Sequence, residues 1–82
     1  MASDSLAETA ATALLPYVRP SMTDDDIDAY ESPMSAGEPY TALLWLLGFV
    51  TDEINIPHDT VLDILAALDD EDKDDYAPRL GL

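Results

Sequence analysis

Cysteine is absent from these 82 residues and basic side chains nearly so: Arg19, Lys73 and Arg79 stand alone against 18 aspartates and glutamates. Neither a disulfide framework nor a thiolate metal site can support the fold, so stability has to come from packing. The formal net charge of -15 leaves no basic patch and disfavours direct binding to DNA, RNA or an anionic membrane. Long apolar runs are missing too. The longest, Ala42 to Val50, is far short of the roughly 20 residues that cross a bilayer and reads as a buried helix. No segment alternates apolar and polar residues as a half-buried strand would. Met1 to Ala10 holds Asp4 and Glu8 and no Lys or Arg, the wrong charge for a secretory signal, so a cytoplasmic location is expected.

What is present is apolar enough to fold: hydrophobic residues make up 48% of the chain, above the level of a disordered acidic tail. The length suits one domain over residues 1 to 82, with residues 69 to 82 as an acidic C-terminal segment. Leu6, Ala10, Leu14, Tyr17 and Val18 recur at steps of three and four, which predicts an amphipathic helix capped by Ser3 or Asp4. Pro16 removes a backbone donor and restricts Leu15, so this helix is expected to be short and to end or kink near residue 15. Thr23 precedes three aspartates, a helix start with Ile27, Tyr30 and Met34 facing inward and Asp25 and Asp28 facing away. Pro33 is expected to bend that second helix and Gly37 to close it.

Glu38 and Pro39 suit the first turn of a third helix reaching about Thr51. Tyr40, Leu43, Leu46, Leu47 and Val50 share one broad side, while Trp45 and Phe49 lie toward the other. A helix apolar nearly all round belongs at the centre of a bundle, and a partner must cover Trp45 and Phe49 if the chain does not. Pro57 lies in a loop before a fourth helix, with Val61, Ile64, Leu65 and Leu68 on one stripe and Asp63 opposite. Asp69 to Asp75 holds six acids and one lysine, too self-repelling for confident helix extension, and Tyr76, Pro78 and Leu80 form a docking tail. The fold class is all-α, a single small four-helix bundle around a central apolar helix. Its core candidates are Leu6, Leu14, Ile27, Tyr30, Leu43, Leu47, Val50, Val61, Ile64, Leu65 and Leu68.

Catalytic chemistry finds little support. His58 is the only histidine and sits at a helix start, where protonation is disfavoured, so it reads as a surface or capping residue. Asp70, Asp72 and Asp74 alternate like the opening of a calcium loop. Asp75 then stands where that loop wants glycine, and Gly81 where it needs a bidentate glutamate. Asp24, Asp26 and Asp28 fail in the same way, with Ala29 and Ser35 at those positions. No catalytic residue, metal or cofactor is therefore assigned, and the chain reads as a non-enzyme. Size and acidity resemble acyl carrier proteins, and Asp4, Ser5 and Leu6 spell the tripeptide of their prosthetic-group serine. In those carriers the tripeptide opens the second helix, whereas only three residues precede it here, and Ser5 reads as part of a helix start.

The stretch Gly37, Glu38, Pro39, Tyr40, Thr41, Ala42, Leu43, Leu44, Trp45, Leu46, Leu47 resembles the glycine-glutamate turn and alanine-leucine helix of MafI-type immunity proteins. Those proteins belong to bacterial polymorphic-toxin and contact-dependent inhibition systems. The likeness continues through Ile54, Asn55, Ile56 and Pro57 into Thr60 to Leu68, covering roughly residues 23 to 70. Helix one departs most from the pattern, and Pro16, Pro20 and Pro33 interrupt stretches that are smoother in the family. The resemblance implies a small acidic helical protein that binds a cognate toxin domain, often a nuclease, and blocks its active site.

The charge fits that expectation independently, since a compact acidic surface is complementary to the basic groove of such an enzyme. The partner-binding candidates are Asp25, Asp28 and Glu31 on the second helix and Asp69, Asp70, Asp72 and Asp74 beyond the fourth. Trp45 or Tyr76 would be the apolar anchor. The alternative is a helical adaptor or homodimeric structural protein, burying Trp45 and Phe49 against its twin, with an acidic surface adapted to a salty cytoplasm.

Overall fold

A computed structural model describes residues 2–81, with side chains from Asp4 onward. Five α-helices follow in order: α1 (Ala2–Val18), α2 (Asp24–Ser35), α3 (Pro39–Leu47), α4 (His58–Ala67) and α5 (Asp70–Tyr76). Single 3-10 turns cover Arg19–Ser21 and Ala77–Leu80, and no strand occurs among the described residues. The protein is an all-α helical bundle with a Cα radius of gyration of 11.6 Å, that of a compact chain of this length.

Packing runs in the spatial order α2, α3, α1, α4, so α1 and α3 together form the middle of the bundle. Ala7, Ala10, Ala11, Leu14 and Val18 are fully buried on one face of α1. Their spacing of three and four residues builds the expected stripe, and three alanines in it let α3 and α4 approach closely. Ala42, Leu43, Leu46 and Leu47 of α3 are fully buried against it, joined by Ile64 of α4 and the nearly buried Val50, Ala67 and Leu68. Ile27 and Leu65, expected in the core, are corrections: both are only half-buried and stand outside the cluster of buried residues and the side chains packed on it. Leu6 is a correction: it is 43% exposed, and Ala7, the next position along, takes the inward place on that turn.

Helix one is also longer than its proline suggests. It continues through Pro16 to Val18, and its first residue is Ala2, ahead of the expected caps. Pro16 is exposed, while Leu14 and Val18 on either side of it are buried. The lost hydrogen bond therefore falls on the solvent side of the last turn, where the Thr12 carbonyl can be hydrated, and the apolar face continues uninterrupted. The cap expected from Ser3 concerns a side chain outside the described residues; Asp4 lies in the first turn, where its charge suits the helix end.

Thr23 starts α2 as expected, with a reciprocal cap. The Asp26 amide donates to Thr23 Oγ1 at 3.1 Å and the Thr23 amide donates to Asp26 Oδ2 at 2.9 Å. Two end groups without helical partners are satisfied at once. Replacing Thr23 with Ala should lower stability by about 1 kcal/mol, read as a fall in the urea midpoint with unchanged slope.

Pro33 lies inside α2, which runs on to Ser35. Gly37, at φ +77°, closes it: the Gly37 amide donates to the Met34 carbonyl at 3.3 Å and the Glu38 amide to the Pro33 carbonyl at 2.8 Å. This paired pattern needs a left-handed residue at Gly37, and glycine takes that conformation without a Cβ penalty. Pro39 then opens α3, with its ring buried. The helix ends at Leu47, short of Thr51, because Gly48, Phe49 and Val50 tighten into i to i−3 hydrogen bonds of 3.0 to 3.2 Å.

The acidic segment is the larger departure. Asp70 to Tyr76 is helical despite its charge, and the following turn brings Leu80 with Tyr76 against the core. The tail therefore docks on its own chain.

Candidate functional site

α3 is the element around which the predicted partner residues are arranged. Its inward face is buried, and two of its other side chains reach out to different neighbours. On one flank the Trp45 indole Nε1 donates to the backbone carbonyl of Asp26 on α2 at 3.1 Å. On the other, the Tyr40 hydroxyl donates to Asp72 of α5 and accepts a hydrogen bond from the Asp69 amide at 3.0 Å. Five residues separate Tyr40 from Trp45, which puts them about 140° apart around the helix axis. The two acidic sets, one on α2 and one on α5, thus lie on either side of an exposed strip of α3 that contains Thr41, Trp45 and the half-buried Leu44.

Trp45 is 40% exposed, an unusual position for the only tryptophan of a small protein. Phe49 stands edge-on to it, with ring centroids 5.6 Å apart and planes at 76°. That contact and the Asp26 carbonyl fix the indole orientation while leaving part of its surface in water. Trp45 also walls a shallow groove of about 620 Å³ between α2 and α3, lined by Ala29, Ser32, Pro33, Ala36, Glu38, Thr41 and Leu44. Asp25 belongs to the same stripe of α2 as Ala29, Ser32 and Ala36, at steps of three and four, and Asp28 lies beside it. Each is exposed.

Of the predicted partner residues, Asp25, Asp28, Glu31, Asp69, Asp70 and Asp74 are exposed. Asp70 also meets Lys73 at 3.6 Å, a solvated pair of little energetic weight. Asp72 and Tyr76 serve the fold as well: the Asp72 carboxylate holds the Tyr40 hydroxyl, and the half-buried Tyr76 ring packs partly against the core. Asp70, Asp72 and Asp74 stand on a helix, which puts Asp70 and Asp74 on one face and Asp72 nearly opposite them. Among the described residues no group of three histidine, aspartate or glutamate side chains could hold a metal ion. His58 is exposed at the first turn of α4, and Ser5 is exposed on α1, with its carbonyl accepting from Thr9 Oγ1 at 3.0 Å.

Sequence reasoning missed the groove and Glu38 as part of it. The signal was available on the face of α2 opposite Ile27, Tyr30 and Met34, where Ala29, Ser32 and Ala36 recur without any large side chain.

Two phenols have displaced titrations. Tyr40 is pushed up to about 12 from an ordinary 10.0, first by burial and then by the proximity of Asp72 and Asp69, partly offset by the hydrogen bond from the Asp69 backbone. Burial also raises Tyr30. For Tyr40 the folded chain keeps a proton that the unfolded chain releases, so its stabilising contribution is complete below pH 10 and declines as pH rises through about 12, and Tyr30 acts in the same direction. Alkaline denaturation followed by circular dichroism should show stability falling across that window. Tyr40→Phe should flatten the fall and lower neutral-pH stability by about 1 to 2 kcal/mol, because Asp72 and the Asp69 amide lose their partner.

Comparison of the chain with protein-family models, with curated proteins and with solved structures found no match. No helix among the described residues is long and apolar enough to cross a membrane.

Proposed function

We propose that this chain is a non-enzymatic immunity protein that captures a cognate basic toxin domain, most simply a nuclease, and covers its active site. The observation that carries the reading is the exposed, hydrogen-bonded Trp45 on a strip of α3 flanked by acidic side chains of α2 and α5. A net charge of -15 would draw a cationic cleft toward that strip from a distance. Once contact is made, charge supplies speed and selectivity, and burial of an already oriented tryptophan supplies lifetime. The likeness of Gly37 to Leu47 to the MafI-type pattern supports the same reading.

The reading expects a basic toxin domain encoded beside this chain and neutralised by it. Co-expression should restore growth to cells producing that domain, and the purified pair should form a complex that inhibits the domain's activity. A basic neighbour that kills cells equally well with and without this protein would count against the proposal.

A further inference from the structure

Resting on that reading, we infer that the α2–α3 groove is the docking site for an arginine-bearing amphipathic helix of the partner protein, with one guanidinium stacked on Trp45. The shape is that of a helix seat. Two consecutive helices joined by the tight Gly37 turn bound a trough whose α2 side is made of Ala29, Ser32, Pro33 and Ala36, and whose α3 side includes Leu44 and Trp45. Compact side chains on the α2 side, facing Leu44 and Trp45, admit the apolar face of a third helix between them. From Ala29 to Ala36 the groove follows α2 for about 10 Å, two turns of an incoming helix, and Asp25 lies one turn further along α2.

The charge selects the occupant. No lysine or arginine occurs between Arg19 and Lys73, so neither helix of the groove carries a positive charge. Glu38 lines the groove near the Gly37 turn, while Asp25 and Asp28 stand toward the opposite end of α2. A helix with an apolar stripe and basic flanks meets carboxylates at both ends of its seat. A second copy of this chain would bring its own fifteen-unit negative excess to the same place. Arginine suits Trp45 better than lysine because the guanidinium is flat, weakly hydrated and stacks on an indole face. The Asp26 carbonyl already occupies the indole N–H, so the ring is oriented before a ligand arrives.

Trp45 is the only tryptophan and reports directly on this seat. The probe is a synthetic helical peptide of about 14 residues, with leucines at i, i+3 and i+7 and arginines on the flanks. Titration should change Trp45 fluorescence saturably, and a lysine version should bind several-fold more weakly. Asp25→Asn with Glu38→Gln should weaken the arginine peptide about fivefold or more, whereas Asp59→Asn with Asp63→Asn on α4 removes the same charge and should cost less than about twofold. Circular dichroism establishes that both double variants remain folded. Equal losses from the two pairs, or peptide binding that leaves Trp45 unchanged, would overturn the inference. Toxin neutralisation that survives Asp25→Asn with Glu38→Gln would sink the groove assignment while leaving the immunity reading intact. Peptide docking without any neutralised toxin would do the reverse.

Discussion

Leu14→Ala should destabilise the protein by about 3 kcal/mol, seen as a lower urea midpoint with an unchanged slope, while Leu6→Ala should cost less than about 1 kcal/mol. Both leucines sit on the stripe that periodicity assigns to the first helix. In the structure Leu14 has no exposed surface and lies at the meeting of α1 with α3 and α4, whereas Leu6 is 43% exposed. Removing the Leu14 side chain deletes buried methyl groups and leaves a cavity between rigid helices, and both terms add. A domain of this size has roughly 4 to 12 kcal/mol of stability in all, so the loss is a large share of it. The difference between the two variants tests the register of α1 directly: a helix rotated by one residue would reverse their order.

The second large effect is on binding. Trp45→Ala should weaken association with the cationic partner by about 2 kcal/mol or more, near thirtyfold, while changing folding stability by no more than about 1 kcal/mol. The asymmetry follows from the position of the ring. It contributes one hydrogen bond, to the Asp26 carbonyl, and one edge contact, to Phe49, and leaves 40% of its surface in solvent. Its loss therefore removes little from the core and much from an interface centred on it. Asp25, Asp28 and Glu31 are exposed, and each alone should cost a few tenths of a kcal/mol of affinity, with a larger effect on association rate when all are neutralised together.

The helices were legible wherever an apolar stripe coincided with a cap. Thr23 beside Asp24, Asp25 and Asp26 announced α2, and the structure adds only that Asp26 closes the reciprocal bond. Gly37 followed by Glu38 and Pro39 marked the turn between α2 and α3. Local rules misled where tertiary contacts outweighed them. Pro16 argues for an early end to α1, yet burial of Val18 two residues later carries the helix past it. The acidic run after Leu68 argues against a helix, but Tyr40 holds Asp72 and receives the Asp69 amide, and Tyr76 and Leu80 add apolar contacts. Each contact joins residues remote in the chain, invisible to a window of ten or fifteen.

The candidate site divides in the same way. Trp45 was legible as a side chain at odds with the buried face of its helix, and the acids of α2 as a face turned from the core. The groove beside Trp45 was not, because it depends on how α2 lies along α3 and on what Ala29, Ser32 and Ala36 leave unfilled. Asp72 was read as a partner-binding carboxylate and is tied to Tyr40, which no pattern within α5 could indicate.

The central claim is that exposed carboxylates around Trp45 capture a cationic protein. Its most direct test is Trp45 fluorescence titration of this chain with the basic domain encoded beside it, between about 0.05 and about 0.5 M salt. Electrostatic capture predicts a tight complex at the low end whose affinity falls steadily as salt rises. Absence of any complex at low salt, or self-association of the chain that strengthens as salt is added, would contradict it.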